Sequence, residues 1–210
     1  MFVILSAITN KDKKGKSVER TLVILKPDAI QRGIVGDIVQ RFERVGLKLV
    51  GAKMFQPERE LLDQHYPKDR DELILGIAKK TLENYKEQGL DVMADFGTDD
   101  PKAVGLKVQE WLVDFMSSSP VLAFVLEGPH AIEVVRKIVG STLPAKAAPG
   151  TIRGDYSFDS SALANLAKRP IRNLVHASGD AKEAEFEINL WFNDDELQDY
   201  PTIHQKHMVE

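Results

Sequence analysis

Residues 21–28 read Thr21-Leu22-Val23-Ile24-Leu25-Lys26-Pro27-Asp28, and the fold follows from them. The apolar, β-rich run Thr21–Leu25 predicts a strand buried in a sheet. Pro27 has no backbone donor, so the strand stops there. Next, Ile34, Val35, Ile38, Val39, Phe42 and Val45 share one helical stripe, and Gly46 is a fitting C-terminal stop. Leu47–Phe55 reads as a second strand. Pro57 then opens a short helix over Glu58–His65. The same alternation returns later. Val121–Leu126 (VLAFVL) is a buried strand. Ile132, Val135 and Val139 mark a helix stopped by Gly140. Asn173–Val175 is a short strand end, and Asp180–Phe192 is a helix carrying Ala184, Ile188 and Trp191. Two strand–helix–strand halves predict a ferredoxin-like α/β (α+β) sandwich, an antiparallel sheet with helices mainly on one face. A doubly wound sheet is disfavoured, because no G-x-G-x-x-G follows a strand.

Between these halves, Asp71–Gln88 is helical and closed by Gly89. Asp100-Pro101 has the form of an N-cap followed by a first-turn proline. The helix it opens carries Val104, Val108, Trp111, Leu112 and Phe115 at i, i+4, i+7, i+8 and i+11. Ser141–Asp155 reads as a Pro/Gly-punctuated loop and Ser160–Lys168 as weakly helical. Met1–Ile8 is apolar, with no basic residue before it and no small-residue cleavage site. It reads as a short strand or tag-like extension, not a signal peptide.

Composition narrows the chemistry. Lys+Arg 28 against Asp+Glu 32 gives a net charge of −4, so bulk electrostatics do not favour a nucleic-acid coat. The absence of cysteine excludes disulfides, thiolate catalysis and Cys-ligated metal. No apolar run approaches the ~18 residues of a membrane helix, and the expected compartment is the cytoplasm.

Several local signals favour a bland interpretation. Gly15-Lys16-Ser17 ends like a phosphate-binding loop, but Asn10 stands where its first glycine belongs and a strand follows. A solvated basic linker describes it better. His204 and His207 share one helical face but lack further ligands, so a flexible tail is expected. His130, after Gly128-Pro129, belongs at a helix start. His65, beside Tyr66, reads as packing.

Five separated segments carry more: Lys26-Pro27-Asp28; Arg136; Thr142-Leu143-Pro144; Pro149 to Asp155 (PGTIRGD); and Arg172 to Ser178 (RNLVHAS). Each is weak alone, since a strand-end lysine is usually solvated and a helix arginine usually ion-paired. Together they supply one potential nucleophile, several cations and small hydroxyl donors. Phosphoryl transfer needs that inventory, because charge on the migrating group must be positioned and stabilised. Arginine forks suit phosphate oxygens, and a neutral imidazole accepts phosphate near pH 7.

These segments, in this order, resemble the nucleoside diphosphate kinase family. Further matches are Glu19 to Gly33, Val35-Gly36-Asp37-Ile38, Arg41-Phe42-Glu43, His65-Tyr66, Ser119-Pro120-Val121, Glu127-Gly128, Gly140-Ser141-Thr142, Pro144-Ala145 and Leu190-Trp191-Phe192. The resemblance implies a two-step exchange. The γ-phosphoryl of a nucleoside triphosphate, usually ATP with Mg²⁺, passes to a histidine and then to a different nucleoside diphosphate. By position, His176 matches the phosphorylated histidine and Lys26 the lysine that meets the migrating group. Tyr66 matches the tyrosine beside it. Glu187 matches the carboxylate that orients the imidazole, with Ser178 next to it. Arg136, Thr142 and Arg153 match residues on the phosphate tail, and Asn173 the sugar contact. Val108 and Pro170 align with the base-stacking pair, with Leu112 in the same substrate set; a plain helix-core role for Val108 stands beside this. The resemblance also implies a homo-oligomer, commonly a hexamer or tetramer, with Mg²⁺ held through the nucleotide phosphates and no protein metal site.

The chain departs from the family at three places. Gly179 stands where the family usually has Asp, with Asp180 next. Two insertions, 67–107 and 157–170, flank the expected cleft. The first is expected to add a helix over the base or to build a subunit contact, against the plainer alternative of an inert surface elaboration. On this division residues 1–19 are an extension and 20–210 one catalytic domain.

Overall fold

The computed structural model describes residues 9–11 and 17–208. Among them, five strands form one sheet: β1 (Thr9–Lys11), β2 (Ser17–Leu25), β3 (Lys48–Phe55), β4 (Val121–Gly128) and β5 (Val175–Ala177). The order across it is β5–β2–β4–β3, every pairing is antiparallel, and β1 lies along the N-terminal half of β2. The helices are α1 (Pro27–Gln31), α2 (Val35–Arg44), α3 (Arg59–His65), α4 (Asp71–Gln88), α5 (Val92–Phe96), α6 (Pro101–Ser117), α7 (Ala131–Val139), α8 (Ile152–Tyr156), α9 (Ser161–Leu166), α10 (Ala181–Trp191) and α11 (Ile203–Met208). None is long and apolar enough to cross a membrane.

The antiparallel α/β sandwich is as expected, but helices cover both faces of its sheet. Val23, Leu25, Phe124 and Leu126 face one core with Ile38 and Phe42 of α2, Val135 and Val139 of α7, and Ile152 of α8. Leu22, Ile24, Ala123 and Val125 face a second core with Leu62 of α3, Val113 and Met116 of α6, and Ile188 and Trp191 of α10. The unbroken apolar runs in β2 and β4 are the cause. A strand with one wet face alternates apolar and polar residues, and these two strands do not.

Local signals set most boundaries. Asp100 accepts the Ala103 N–H at 2.9 Å ahead of Pro101, and Gly89 closes α4 at φ 65°. Elsewhere the outcome differs. The Ser141–Asp155 segment holds a 3₁₀ turn at Pro144–Lys146 and the start of α8, which Thr151 caps by accepting the Gly154 N–H at 3.1 Å. The last strand is Val175–Ala177, because Leu174 sits at φ 69° and turns the chain before it. The expected flexible tail is α11, with the His204 ring against Gly46. Met1–Ile8, Gly15 and Lys16 lie outside the described residues. Ser17 begins β2, so a strand follows the basic linker.

Segments 67–107 and 157–170 meet each other. Asn165 Nδ2 on α9 donates to Asn84 Oδ1 on α4 at 2.7 Å, and Lys168 pairs with Asp95 of α5 at 2.8 Å. On its other side α4 packs against α6 so closely that a Cβ on Gly105 would lie 2.3 Å from the Ile74 carbonyl oxygen. In an open helix Gly→Ala stabilises by about 1 kcal/mol. Here the neighbour is backbone, so Gly105→Ala should instead destabilise by about 2 kcal/mol. Thermal unfolding should register a fall of roughly 4–8 °C in Tm; an unchanged or higher Tm would refute the close α4–α6 approach.

Candidate active site

The site forms where β2 ends. β5 pairs with its last residues, Ile24 opposite His176 and Leu25 opposite Val175, and the Lys26 N–H continues the contact to Leu174 O at 2.8 Å. The turn at Leu174 is held by its own N–H, which donates to Asp28 Oδ2 at 3.0 Å. These bonds bring Lys26 and Asn173 together. Lys26 Nζ donates to Asn173 Oδ1 at 2.8 Å, and Asn173 Nδ2 donates to the Thr142 carbonyl at 2.9 Å. Arg153, delivered by α8, donates Nε to Asn173 O at 3.0 Å, Nη1 to Gly140 O at 2.9 Å and Nη2 to Val175 O at 2.5 Å. Its fork thereby fastens the loop after α7 to the strand that carries His176.

Burial sets the charges. Lys26 is drawn down to about 8, mainly by desolvation and then by Arg153, with Asp28 opposing. Arg153 is lowered to about 10 by burial and then by Arg136, again against Asp28. His176 is lowered to about 3 by burial, then by Lys26 against the opposing pull of Glu183. The imidazole is therefore neutral at physiological pH. Glu187 Oε1 lies 2.7 Å from His176 Nε2, and Glu187 Oε2 accepts the Ser178 hydroxyl at 2.6 Å. A carboxylate acceptor assigns the ring proton to Nε2 and leaves Nδ1 as the nitrogen with a free lone pair. Desolvation raises the pKa of Glu187 and holds the Tyr66 phenol protonated well above its usual range.

His65 packs beside this group, with its side chain buried. Its ring meets that of His176 edge-on at 4.6 Å, and Trp191 Nε1 donates to its Nδ1 at 3.2 Å. Its Nε2 is buried with no hydrogen-bond partner among the described residues. Sequence reasoning passed over three other residues. Asp28 bonds the Leu174 N–H. Gln109, fully buried, donates to the Tyr66 carbonyl at 2.8 Å. Arg70 lies close enough for its charge to act on Glu187 and Asp180. Asp28 stands two residues from Lys26 in the same Lys-Pro-Asp stretch, a local signal; Gln109 and Arg70 have only their nearness to Tyr66 and the α6 stripe.

Of the residues singled out from sequence, Lys26, Asn173, Thr142 and Arg153 are joined by hydrogen bonds, as are His176, Glu187 and Ser178. The Tyr66 ring stands 6.3 Å from that of His176. Arg136 is exposed on the last turn of α7, and its charge reaches both His176 and Arg153. Val108 and Leu112 are half-buried one turn apart on α6, and Leu112 packs against the second core. A cavity of about 550 Å³ touches this group only at Arg136 and Gly179; Glu19, His130, Glu133, Lys137 and Asp180 line much of the remainder. Among the described residues one trio, His65, His176 and Glu187, brings three potential metal-ligand atoms within 4.8 Å of one another. Two imidazoles and one carboxylate suit zinc and do not suit Mg²⁺, which takes oxygen ligands and keeps water.

A half-buried neutral histidine, oriented by a carboxylate and ringed by Lys26, Arg136 and Arg153, is a phosphate-accepting arrangement. The comparisons with known proteins agree. A sequence model described as nucleoside diphosphate kinase matches residues 19–83 and 103–197. The chain belongs to the nucleoside diphosphate kinase family. A nucleoside diphosphate kinase from Pyrobaculum aerophilum is 49% identical over 180 residues, 86% of this chain and 98% of that protein. The crystal structure of an NDP kinase from the same organism superposes with a TM-score of 0.84 at 47% identity, covering 87% of this chain and all of that one. A Borrelia burgdorferi nucleoside-diphosphate kinase, solved as a transition-state mimic with vanadate and ADP, matches with a TM-score of 0.73 at 38% identity, covering 90% and 96%. The chain is thus a phosphotransferase with nucleoside diphosphate kinase activity.

This kinase should be acid-sensitive in a defined way. His65 is lowered to about 3, chiefly by desolvation and then by His176, as His176 is by its own burial. Once unfolded, both titrate near 6.5. Between those values the unfolded chain binds more protons, so stability rises with pH and is lost as pH falls from about 6.5 toward 3. Replacing His65 with Phe removes one such group. The pH dependence of the urea-unfolding free energy between pH 6.5 and 5 should become shallower by about 1.1 kcal/mol per pH unit on average. Equal slopes for the two proteins would show that His65 is not held neutral.

Proposed function

We propose that His176 is the phosphorylated residue and that turnover runs in two half-reactions. Nδ1 of the neutral imidazole attacks the γ-phosphorus of a nucleoside triphosphate. The new N–P bond forms as the bond to the β,γ-bridging oxygen breaks, and the diphosphate leaves with that oxygen. A second diphosphate then attacks the phosphohistidine and restores His176. The observation carrying this reading is the chain Ser178–Glu187–His176, which commits Nε2 and leaves Nδ1 available. Glu187 also stabilises the positive character the ring gains on phosphorylation.

Lys26, beside Asn173 in a dry pocket, supplies charge to the migrating group, with the Tyr66 hydroxyl next to it. Arg136, Thr142 and Arg153 take the phosphate tail, and Asn173 the sugar. Val108 and Leu112 line the base side. Mg²⁺ enters as part of the substrate, bound to the nucleotide phosphates; the donor set around His176 does not fit it, and no step here passes through it. The inserted segments 67–107 and 157–170 form one joined elaboration beside a single catalytic domain, as the Asn84–Asn165 and Asp95–Lys168 contacts support. The working form is a homo-oligomer in the cytoplasm.

Incubation with γ-labelled ATP should leave an acid-labile, base-stable label on the protein. That label should be absent in His176→Ala and should be chased into GTP by GDP. No label on the intact protein would sink the phosphohistidine reading.

The Lys26 ammonium should also limit the alkaline side of activity. With its pKa near 8 in the free enzyme, its charge is present below that pH and lost above it. kcat/KM should fall with a midpoint near 8, and Lys26→Arg should lose this limb, since a guanidinium stays charged. The same alkaline limb in both proteins would remove Lys26 from this role.

A further inference from the structure

Glu183 has no role in the mechanism above, yet its charge acts on the reacting His176. It lies three residues after Asp180, the N-cap of α10, whose side chain accepts the Glu183 N–H at 2.9 Å. This D-x-x-E spacing is that of a capping box, in which the glutamate turns back to the N-cap residue's own N–H. Glu183 reaches one residue further: the Gly179 N–H donates to its Oε2 at 2.5 Å. Glycine makes this contact available. A Cβ at position 179 would lie 2.6 Å from Glu183 Oε2 and 3.7 Å from Arg136 Nη1. The carboxylate fills the space a side chain on residue 179 would take, beside Arg136. Its charge also raises the pKa of both His176 and Tyr66, which places it on the cleft side of α10.

β5 is three residues long and depends on anchors beyond its ends. Downstream of His176, Ser178 exchanges hydrogen bonds with Leu22, N–H to O at 3.2 Å and N–H to Oγ at 3.3 Å. The Gly179–Glu183 bond comes next. We propose that Glu183 is a positioning residue for phosphoryl transfer, fixing through the Gly179 N–H the turn that carries His176 and Ser178 and standing its carboxylate beside Arg136. This rests on His176 being the phosphorylated residue.

The test uses the full chain with Glu183→Ala, Glu183→Gln, Gly179→Ala and the double Gly179→Ala/Glu183→Ala. Gly179 does not have left-handed backbone angles, so alanine there probes space and not conformation. The atom it meets ends a flexible side chain, which swings away and loses its bond. Gly179→Ala should therefore mimic Glu183→Ala. Each should slow labelling of His176 by saturating Mg²⁺–ATP about tenfold, with ADP affinity within about threefold of the parent. The double variant should be no slower than either single, because both remove the same contact. Glu183→Gln keeps an acceptor and should stay within about threefold of the parent. Losses that multiply in the double variant, or an unaltered rate in Glu183→Ala, would overturn the proposal. So would a loss in Glu183→Gln as large as in Glu183→Ala. If Gly179→Ala fails to fold, the contrast between the two Glu183 variants decides alone. A parent protein that takes no label points to failure of the phosphohistidine reading; a labelled parent with indifferent variants refutes only the role of Glu183.

Discussion

Everything at the site depends on β2 being hydrogen-bonded along both edges and buried on both faces. One edge pairs with β4 over Glu19–Leu25, and the other receives β5 at Val23–Leu25. That second pairing puts His176 opposite Ile24, two residues from Lys26. Pro27 then ends the strand, so the lysine emerges at the sheet's end without a ladder partner to follow it. The nucleophile and its principal cation are thus fixed by backbone register, the least deformable part of the molecule. Their side chains need only short, oriented hydrogen bonds to finish the arrangement.

Those hydrogen bonds are set in a dry environment, which governs their chemistry. Lys26, Arg153 and His176 all have their protonated forms disfavoured by desolvation, and the cations repel one another further. Asp28 offsets this only in part, since one oxygen bonds the Leu174 N–H and the other is buried with no hydrogen-bond partner among the described residues. Gathering these cations is costly, and a polyphosphate relieves it. Electrostatic binding and nucleophile activation therefore share one cause. The burial that keeps His176 neutral, and able to attack, also strengthens the attraction of the neighbouring cations for the group being attacked.

The sheet and its helices were legible because their signals are local. Asp71–Gln88 could be bounded from its sequence, since Gly89 is a left-handed stop, and the two buried strands announced themselves as unbroken apolar runs. The Ser178–Glu187 pairing could be inferred from family resemblance alone. The position of β5 was displaced by two residues, because Leu174 adopts φ 69° and nothing about a leucine signals that. A tertiary bond to Asp28 holds it there, 146 positions away. The partner of His65 is hidden from the sequence for the same reason: Trp191 is 126 positions distant. Spacing along the chain reveals elements and caps, and contacts of that separation exist only after the sheet has formed.

The segments 67–107 and 157–170 bear on the chemistry through the contacts they make. Asp159, buried, accepts both terminal nitrogens of Arg169, at 2.5 and 3.0 Å, and the Arg172 N–H at 2.7 Å. The first pair closes the base of segment 157–170 as a bidentate clamp, the geometry that makes an Arg–carboxylate bond directional. The third bond fixes the residue immediately before Asn173. Across the cleft side, Arg172 lies 6.0 Å from the Phe115 ring on α6, and α9 is tied to α4. Segment 157–170 thus bonds directly to the stretch that leads into Asn173 and His176, and α4 reaches it only through α9. Because that segment is extended and turns sharply at Leu174, its geometry cannot come from strand pairing alone. The clamp at Asp159 supplies the upstream restraint that β5, with three residues, is too short to provide.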